Sequence, residues 1–150
     1  MFYDKISNFL LIFCFIFVNG IYASNIKDLL SDDEHVRISA QDKLKNLSNE
    51  SKEKTFCKLL QNDENISTHK YVLQAIKIIQ IANILPVLEI NEANRFCSSI
   101  NDAYIIQKKT EQILIEFDSL SVPELIKALD NNNDFMISKY ASILSQIGES

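Results

Sequence analysis

The stretch that decides the fold is SVPELIKALDNNNDFMISKYASILSQI, residues 121–147. It predicts two short amphipathic helices around an acidic turn. Ser121 and Glu124 have the spacing of a capping box, in which the serine oxygen accepts from a free amide while the carboxylate reaches back. Leu125 and Leu129 share one face of the first helix. One face of the second helix carries Met136, Tyr140, Leu144 and Ile147. Neither helix can bury its apolar face alone, so the pair requires neighbours of the same kind.

The core spacing of the second helix recurs three more times along the chain. The three sets are Val36, Ala40, Leu44 and Leu47, then Thr68, Val72, Ile76 and Ile79, then Ile106, Thr110, Leu114 and Phe117. From copy to copy these sets shift by 32, 38 and 30 residues, which is the period range of helical solenoids. The first helices give the same register through the pairs Ile26 and Leu30, Phe56 and Leu60, Phe96 and Ile100, and Leu125 and Leu129. The sequence therefore predicts about four stacked helix-turn-helix repeats.

Several boundaries follow from this register. The long 38-residue step predicts that residues 86–100 form one extended first helix, with Pro86 in its first turn. A very apolar second helix is predicted over residues 67–82. Asp32 is the predicted N-cap of the first copy's second helix, and Asn101 with Asp102 caps the helix predicted over residues 103–117.

The composition favours an all-α fold. The chain contains only two glycines and two prolines, with no glycine between Ile21 and Ile147. A β-rich fold of this length would need glycines in its turns. Here Asn and Asp separate the periodic segments instead.

Two segments resemble a known repeat family. LLSDDEHVR, residues 29–37, followed by Ala40 and Leu44, resembles a HEAT repeat of the short bacterial kind, and VPELIKAL, residues 122–129, resembles the first helix of another. The resemblance covers roughly residues 26–147 and implies an armadillo-type α-solenoid. HEAT proteins are mostly scaffolds and binding surfaces, so the resemblance implies a protein or peptide partner. A repeat pattern specifies shape rather than task.

The N-terminus has the features of a secretory signal peptide. An unbroken apolar run of ten residues, 9–18, follows Lys5 and precedes small residues, and it is about half the length that spans a bilayer. We predict a signal peptide over residues 1–23, cleaved after Ala23, with Gly20 as the second choice. An uncleaved anchor or a buried helix is the alternative. The mature domain, residues 24–150, would then be secreted or periplasmic, with membrane contact only through the signal peptide.

Cys57 and Cys97 each follow a predicted core phenylalanine, so they occupy equivalent positions in adjacent first helices. Stacked helices lie about 8–10 Å apart, whereas a disulfide needs α-carbons within about 7 Å. Two free thiols that pack as small hydrophobes are therefore favoured. A disulfide is the alternative, because export would expose both thiols to an oxidising compartment.

The sequence contains no recognisable constellation for catalysis, metal or cofactor binding. His35 and His69 are the only histidines and lack metal-ligand spacing with other residues. The acidic turns suit helix capping better than calcium, because residues 130–141 lack the central glycine and final glutamate of the common calcium loop. With a net charge of −5, binding to nucleic acid is disfavoured. We expect no catalytic residue, no metal and no cofactor.

The partner-binding surface is predicted from the outward positions of the second helices. The predicted residues are Tyr71, Gln74, Lys77, Lys109, Gln112, Lys139 and Ser142. They would form a shallow polar groove with an excess of lysine, suited to an acidic or extended peptide. The alternative is an ordinary solvated helix face.

Further alternatives concern the chain as a whole. The last helix carries more apolar residues than one inward face requires, so its repeat could be covered by a partner or by a second copy in a homo-oligomer, or the sequence could be the N-terminal fragment of a larger repeat protein. A HEAT-like enzyme or enzyme subunit of the lyase or hydroxylase kind is the competing functional class, although Glu34 and His35 occur only once and in the order opposite to the iron-binding pairs of such enzymes.

Overall fold

The computed structural model describes residues 26–62, 70–130 and 133–149. Helices joined by short turns make up these residues, and no strand occurs among them. The predicted all-α class is therefore confirmed. The predicted signal peptide and His69 lie outside the described residues.

The described chain contains a helical turn at residues 26–29 and then seven α-helices and three 3₁₀ segments. The α-helices are α1 (Glu34–Lys45), α2 (Asn49–Asn62), α3 (Lys70–Ile79), α4 (Ile90–Arg95), α5 (Ile100–Glu116), α6 (Val122–Ala128) and α7 (Asp134–Gly148). The 3₁₀ segments are Ile81–Asn83, Leu85–Leu88 and Asp118–Leu120. None of the helices in the described ranges is by itself long and apolar enough to cross a membrane; α3 and residues 81–88 meet that length and composition only together, as a pair bent by 86°.

Short polar side chains cap the N-termini of several helices in the described ranges. The Asp33 carboxylate accepts from the amides of His35 at 2.9 Å and Val36 at 3.3 Å, so the N-cap of α1 is Asp33 and the prediction of Asp32 was wrong by one residue. Ser99 caps α5: its hydroxyl oxygen accepts from the Asp102 amide at 3.1 Å and its proton goes to the Asp102 carboxylate at 2.8 Å. The cap therefore lies before the predicted Asn101. Each such cap satisfies amides that would otherwise lack a partner.

The capping box predicted at Ser121 and Glu124 does not form. Ser121 has helical backbone angles, φ −84° and ψ −28°, because the 3₁₀ segment Asp118–Leu120 runs directly into α6. An N-cap side chain reaches the helix amides only from an extended backbone. Glu124 pairs instead with Lys127 at 2.7 Å.

The predicted long helix over residues 86–100 was also wrong. The segment divides into the 3₁₀ turn Leu85–Leu88, the short α4 and a bend, and Ile100 begins the next helix. Phe96 is half-buried and Ile100 is 52% exposed, so this pair is not a core pair. α3 likewise ends at Ile79 rather than continuing to residue 82.

The buried apolar residues form two clusters. The N-terminal core includes Phe56, Leu60, Ile76 and Ile106, and the C-terminal core includes Leu114, Leu125, Met136 and Tyr140. The segment Leu85–Leu88 separates them, because Val87 belongs to the N-terminal core whereas Leu85 and Leu88 belong to the C-terminal core. α5 also contributes to both. The two cores therefore share a wall.

The central core position of every predicted second helix is buried. These residues are Ala40, Val72, Thr110 and Tyr140. Two assignments in the same register were wrong: Val36 is 39% exposed, and Ile143 is more deeply buried than the predicted Leu144. Among the predicted second helices, α1 packs on α3 and α5 packs on α7. The helix α5, in the middle of the chain, also packs on α2, α4 and the segment Leu85–Leu88.

Candidate partner-binding surface and junction cleft

Tyr71 lies at the seam between α1 and α3. The guanidinium carbon of Arg37 lies 4.0 Å from the centre of the Tyr71 ring, and the Lys70 ammonium nitrogen lies 4.8 Å from it. Both distances are within the range of cation–π attraction. Tyr71 is half-buried, so part of this predicted partner-binding side chain holds neighbouring helices together.

Two of the predicted lysines also bind groups in other elements of the fold. Lys109 donates to the backbone carbonyl of Leu60 near the end of α2 at 2.9 Å. Lys139 donates to the Leu88 carbonyl at 3.3 Å and lies 3.1 Å from the Glu111 carboxylate, with its side chain only 15% exposed. Carbonyl groups at the ends of helical segments lack intrahelical partners, and a lysine satisfies them while complementing the helix dipole. These two lysines therefore contribute to packing between elements.

The next row of predicted residues is exposed throughout. Gln74 on α3, Gln112 on α5 and Ser142 on α7 are all accessible. The Gln74 side chain accepts from the Gln41 amide at 3.4 Å, and Gln112 donates to Glu116 at 3.0 Å. Both contacts lie at the surface, so these side chains remain accessible to a partner.

Lys77 differs from the other two lysines of the set. It is exposed near the end of α3 and forms no ion pair with the described residues. It lies at a cleft of about 290 Å³ that we name the junction cleft, lined by Lys77, Gln80, Ile81, Phe117 and Leu120. Ile81 packs against both cores. The cleft therefore opens where the two cores meet.

The walls of the junction cleft carry unusual backbone conformations. Gln80 has φ 74° and ψ 143°, and Asp118, which follows Phe117, has φ 46°. Asp tolerates the left-handed region, but the Gln80 conformation is one that residues other than glycine rarely adopt, at a cost of about 1–3 kcal/mol. Such strain collects at binding sites, where surrounding structure holds it.

Of the residues that line the junction cleft, the sequence indicated only Lys77. Gln80, Ile81 and Leu120 lie in segments that the register assigned to a helix interior or a connection. No glycine marks the sharp turn at Gln80. Only the interruption of apolar periodicity after Ile79 could have indicated it.

A second cleft, of about 400 Å³, lies between α2 and the start of α5. Its lining residues are Leu60, Gln61, Ser98, Asp102, Ile105, Ile106 and Lys109. Gln61 also donates to the Phe96 carbonyl at 3.3 Å. The cleft adjoins the end of α2. Of the predicted partner-binding residues, Lys109 is the one that lines this cleft.

Both cysteines in the described residues are free, in agreement with the favoured prediction. Cys57 is buried in the N-terminal core, and Cys97 is half-buried against it. Burial, together with the nearby Cys97, raises the pKa of the Cys57 thiol to about 12. Burial also raises the pKa of Cys97, while a hydrogen bond from Gln61 acts in the opposite direction. Neither thiol has the lowered pKa that characterises a reactive cysteine.

The described part of the chain contains no group of three His, Cys, Asp or Glu side chains placed to hold a metal ion. His35 is exposed in the first turn of α1. Near it, the Asp33 carboxylate caps α1, and Asp42 pairs with Lys45 at 2.8 Å.

Comparison with known proteins gives no relative. No family model matches the chain, no curated protein matches it, and no solved structure matches it.

Proposed function

We propose that this chain is a non-catalytic interaction module, built from about four HEAT-like helix pairs, that binds a protein or peptide partner on the exposed face of its second helices. The observation that carries the proposal is a repeated pattern of burial. The central position is buried in all four second helices, at Ala40, Val72, Thr110 and Tyr140. Two residues later the side chain is exposed in all four, at Asp42, Gln74, Gln112 and Ser142. Four helices of different sequence thus present the same inward and outward positions.

Contacts between neighbouring second helices support the same proposal. Arg37 on α1 reaches Tyr71 on α3, and Glu111 on α5 reaches Lys139 on α7. The proposed stack would thus be held by residues that flank the buried positions, and the row at Gln74, Gln112 and Ser142 stays exposed to a partner. Repeat arrays bind partners on the exposed faces that their successive repeats present.

Site-specific photo-crosslinking tests the proposed surface. A benzophenone amino acid is placed at Gln74, Gln112 or Ser142, and crosslinks are induced in cells that express the full chain. We expect the same partner protein at all three positions. The control carries the benzophenone at Asn91 or Asn94, which are exposed on α4 outside the row. If the control positions capture the same protein as strongly, or if each row position captures a different one, the exposed row is not the binding surface.

A further inference from the structure

The junction cleft combines an apolar lining with one lysine that has no ion pair among the described residues. Ile81, Phe117 and Leu120 supply the apolar groups. Leu120 is 58% exposed, which is unfavourable for an apolar side chain in water. Lys77 and Gln80 are the polar residues of the lining, both exposed. An exposed apolar side chain beside a concave surface loses its contact with water when an apolar group enters, which favours binding.

Lys77 is the charged residue of this lining. Several other cations of the described surface are in ion pairs: Lys45, Lys108 and Lys127 pair with acidic neighbours on their own helices, and Arg95 pairs with Glu50 and Glu92. Lys43 on α1 is, like Lys77, exposed without an ion pair among the described residues, but it does not line this cleft. Lys77 has no such partner among the described residues, and it stands where the cleft opens. Charge complementarity therefore favours a carboxylate at this position.

The size of the cleft limits the ligand. A volume of about 290 Å³ lies at the lower end of the range of small-ligand sites. It can accommodate one large side chain with its adjoining backbone but not a helix. The strained Gln80 lines the cleft, and the left-handed Asp118 lies in the chain between the lining residues Phe117 and Leu120, so the shape of the cleft depends on two backbone conformations that the surrounding packing holds in place.

We infer that the junction cleft binds an extended peptide segment of the partner, taking one large apolar side chain against Ile81, Phe117 and Leu120 while Lys77 pairs with a carboxylate on the neighbouring residue. This inference rests on the proposed function, because it names the kind of partner that the interaction module recognises. Lys77 belongs to the exposed surface of α3 that also carries Gln74, so the same bound segment can extend along the row.

Three short peptides test the inference. They are acetyl-Ser-Phe-Asp-Ser-amide, the same peptide with Asn in place of Asp, and the same peptide with Ala in place of Phe. Binding to the full chain is followed by amide chemical shifts in NMR. We expect the Phe-Asp peptide to shift the amides of Lys77, Gln80 and Leu120, with the Asn peptide weaker by about threefold to fivefold and the Ala peptide weaker by about tenfold.

Protein variants measure separately how much the charge of Lys77 and the apolar lining contribute to peptide binding. Lys77→Gln should weaken the Phe-Asp peptide to the level of the Phe-Asn peptide and leave the latter unchanged. Lys43→Gln, which removes an exposed lysine on α1, is the matched control and should change neither. Leu120→Ser should weaken both Phe peptides by about threefold to tenfold. Since Lys77 and Leu120 are largely exposed, these variants should keep the wild-type spectrum elsewhere.

The outcomes separate this inference from the proposed function. If no peptide shifts the cleft amides while photo-crosslinking from Gln74 and Gln112 succeeds, the junction cleft is not the recognition site although the interaction module stands. If 3-phenylpropionate binds as tightly as the Phe-Asp peptide, the occupant is a small amphipathic carboxylate and the peptide assignment is overturned. If Lys43→Gln weakens binding as much as Lys77→Gln, the peptide is attracted by general charge and the pairing at Lys77 is wrong.

Discussion

The two cores differ in whether their buried polar side chains have hydrogen-bond partners. Thr55 on α2 and Asn83 after α3, both in elements of the N-terminal core, are buried and each donates to a backbone carbonyl. Gln107 and Thr110 on α5, which contributes to both cores, do the same. At the start of α6, which packs into the C-terminal core, the buried Ser121 hydroxyl has no hydrogen-bond partner among the described residues. A buried polar group without a partner costs about 1–3 kcal/mol. The difference shows that the N-terminal core is the better satisfied of the two, although both are built by the same kind of helix.

The largest effect is expected from Phe56→Ala in the N-terminal core. Phe56 is fully buried on α2, and deleting its ring removes apolar contact and leaves a cavity, for a loss of about 3–5 kcal/mol. Phe135→Ala is the matched control, because Phe135 is 67% exposed and its loss should stay within about 0.5 kcal/mol. Urea unfolding monitored by circular dichroism measures both. Equal losses in the two variants would contradict the assignment of Phe56 to the core.

Leu125→Ala makes the corresponding change in the C-terminal core. Leu125 is fully buried on α6, so we expect a loss of about 2–5 kcal/mol, and Ile126→Ala, at an exposed neighbour, should change little. Because α5 and the segment Leu85–Leu88 belong to both cores, amide hydrogen exchange should accelerate in α2 as well as in α7. Loss of protection confined to α6 and α7 would show that the cores unfold independently.

Thiol labelling compares a residue inside the N-terminal core with one at its edge. Burial raises the pKa of Cys57 to about 12, and Cys97 is only half-buried, so we expect a maleimide at pH 8 to modify Cys97 faster than Cys57. In the unfolded chain Cys57 returns to its ordinary value of 9.0. The unfolded state therefore loses this proton first, and stability should fall as pH rises above 9. The Cys57→Ala variant should lack this part of the pH dependence, and faster labelling of Cys57 than of Cys97 would contradict its burial.

Lys139 and Lys77, which the sequence assigned to one partner-binding surface, should differ in their contribution to stability. Lys139→Met removes the bonds to Glu111 and to the Leu88 carbonyl in the wall between the cores, so we expect a loss of about 1 kcal/mol. Lys77→Met, at an exposed position without an ion pair among the described residues, should change stability by less than about 0.5 kcal/mol. Thermal unfolding at low salt measures the difference. If both variants lose stability equally, the contact of Lys139 is not a packing contact.

The sequence predicted the all-α class and the buried centre of each second helix because both depend on apolar periodicity, which is local. It failed where the chain leaves that periodicity. Phe96 and Ile100 have the correct spacing for a core pair, but Ser99 forms an N-cap between them and starts a new helix. The Ser99 and Asp102 spacing was a readable capping signal that the longer register obscured.

The functional residues were harder to predict for a physical reason. Outward positions follow from the helix register, but a lysine at such a position can reach a neighbouring carbonyl or point into solvent, and only tertiary packing decides between these. Lys109 and Lys77 illustrate the two outcomes. The junction cleft depends on the backbone at Gln80 and on the 3₁₀ segment Asp118–Leu120, and neither contains the glycine that commonly marks such a turn.

The smallest expected effect is that of replacing a buried or capping serine by alanine. It tests the comparison of the two cores most directly, because the change in stability should have opposite signs at Ser99 and Ser121. Ser99→Ala removes the cap of α5 and should cost about 1 kcal/mol. Ser121→Ala removes a buried hydroxyl that caps nothing, so stability should be unchanged or rise by up to about 1 kcal/mol. Ser119→Ala, at an exposed residue in the preceding 3₁₀ segment, controls for the effect of serine replacement itself. A loss at Ser121 as large as that at Ser99 would show that the Ser121 hydroxyl has a partner, and the two cores would then be equally well satisfied.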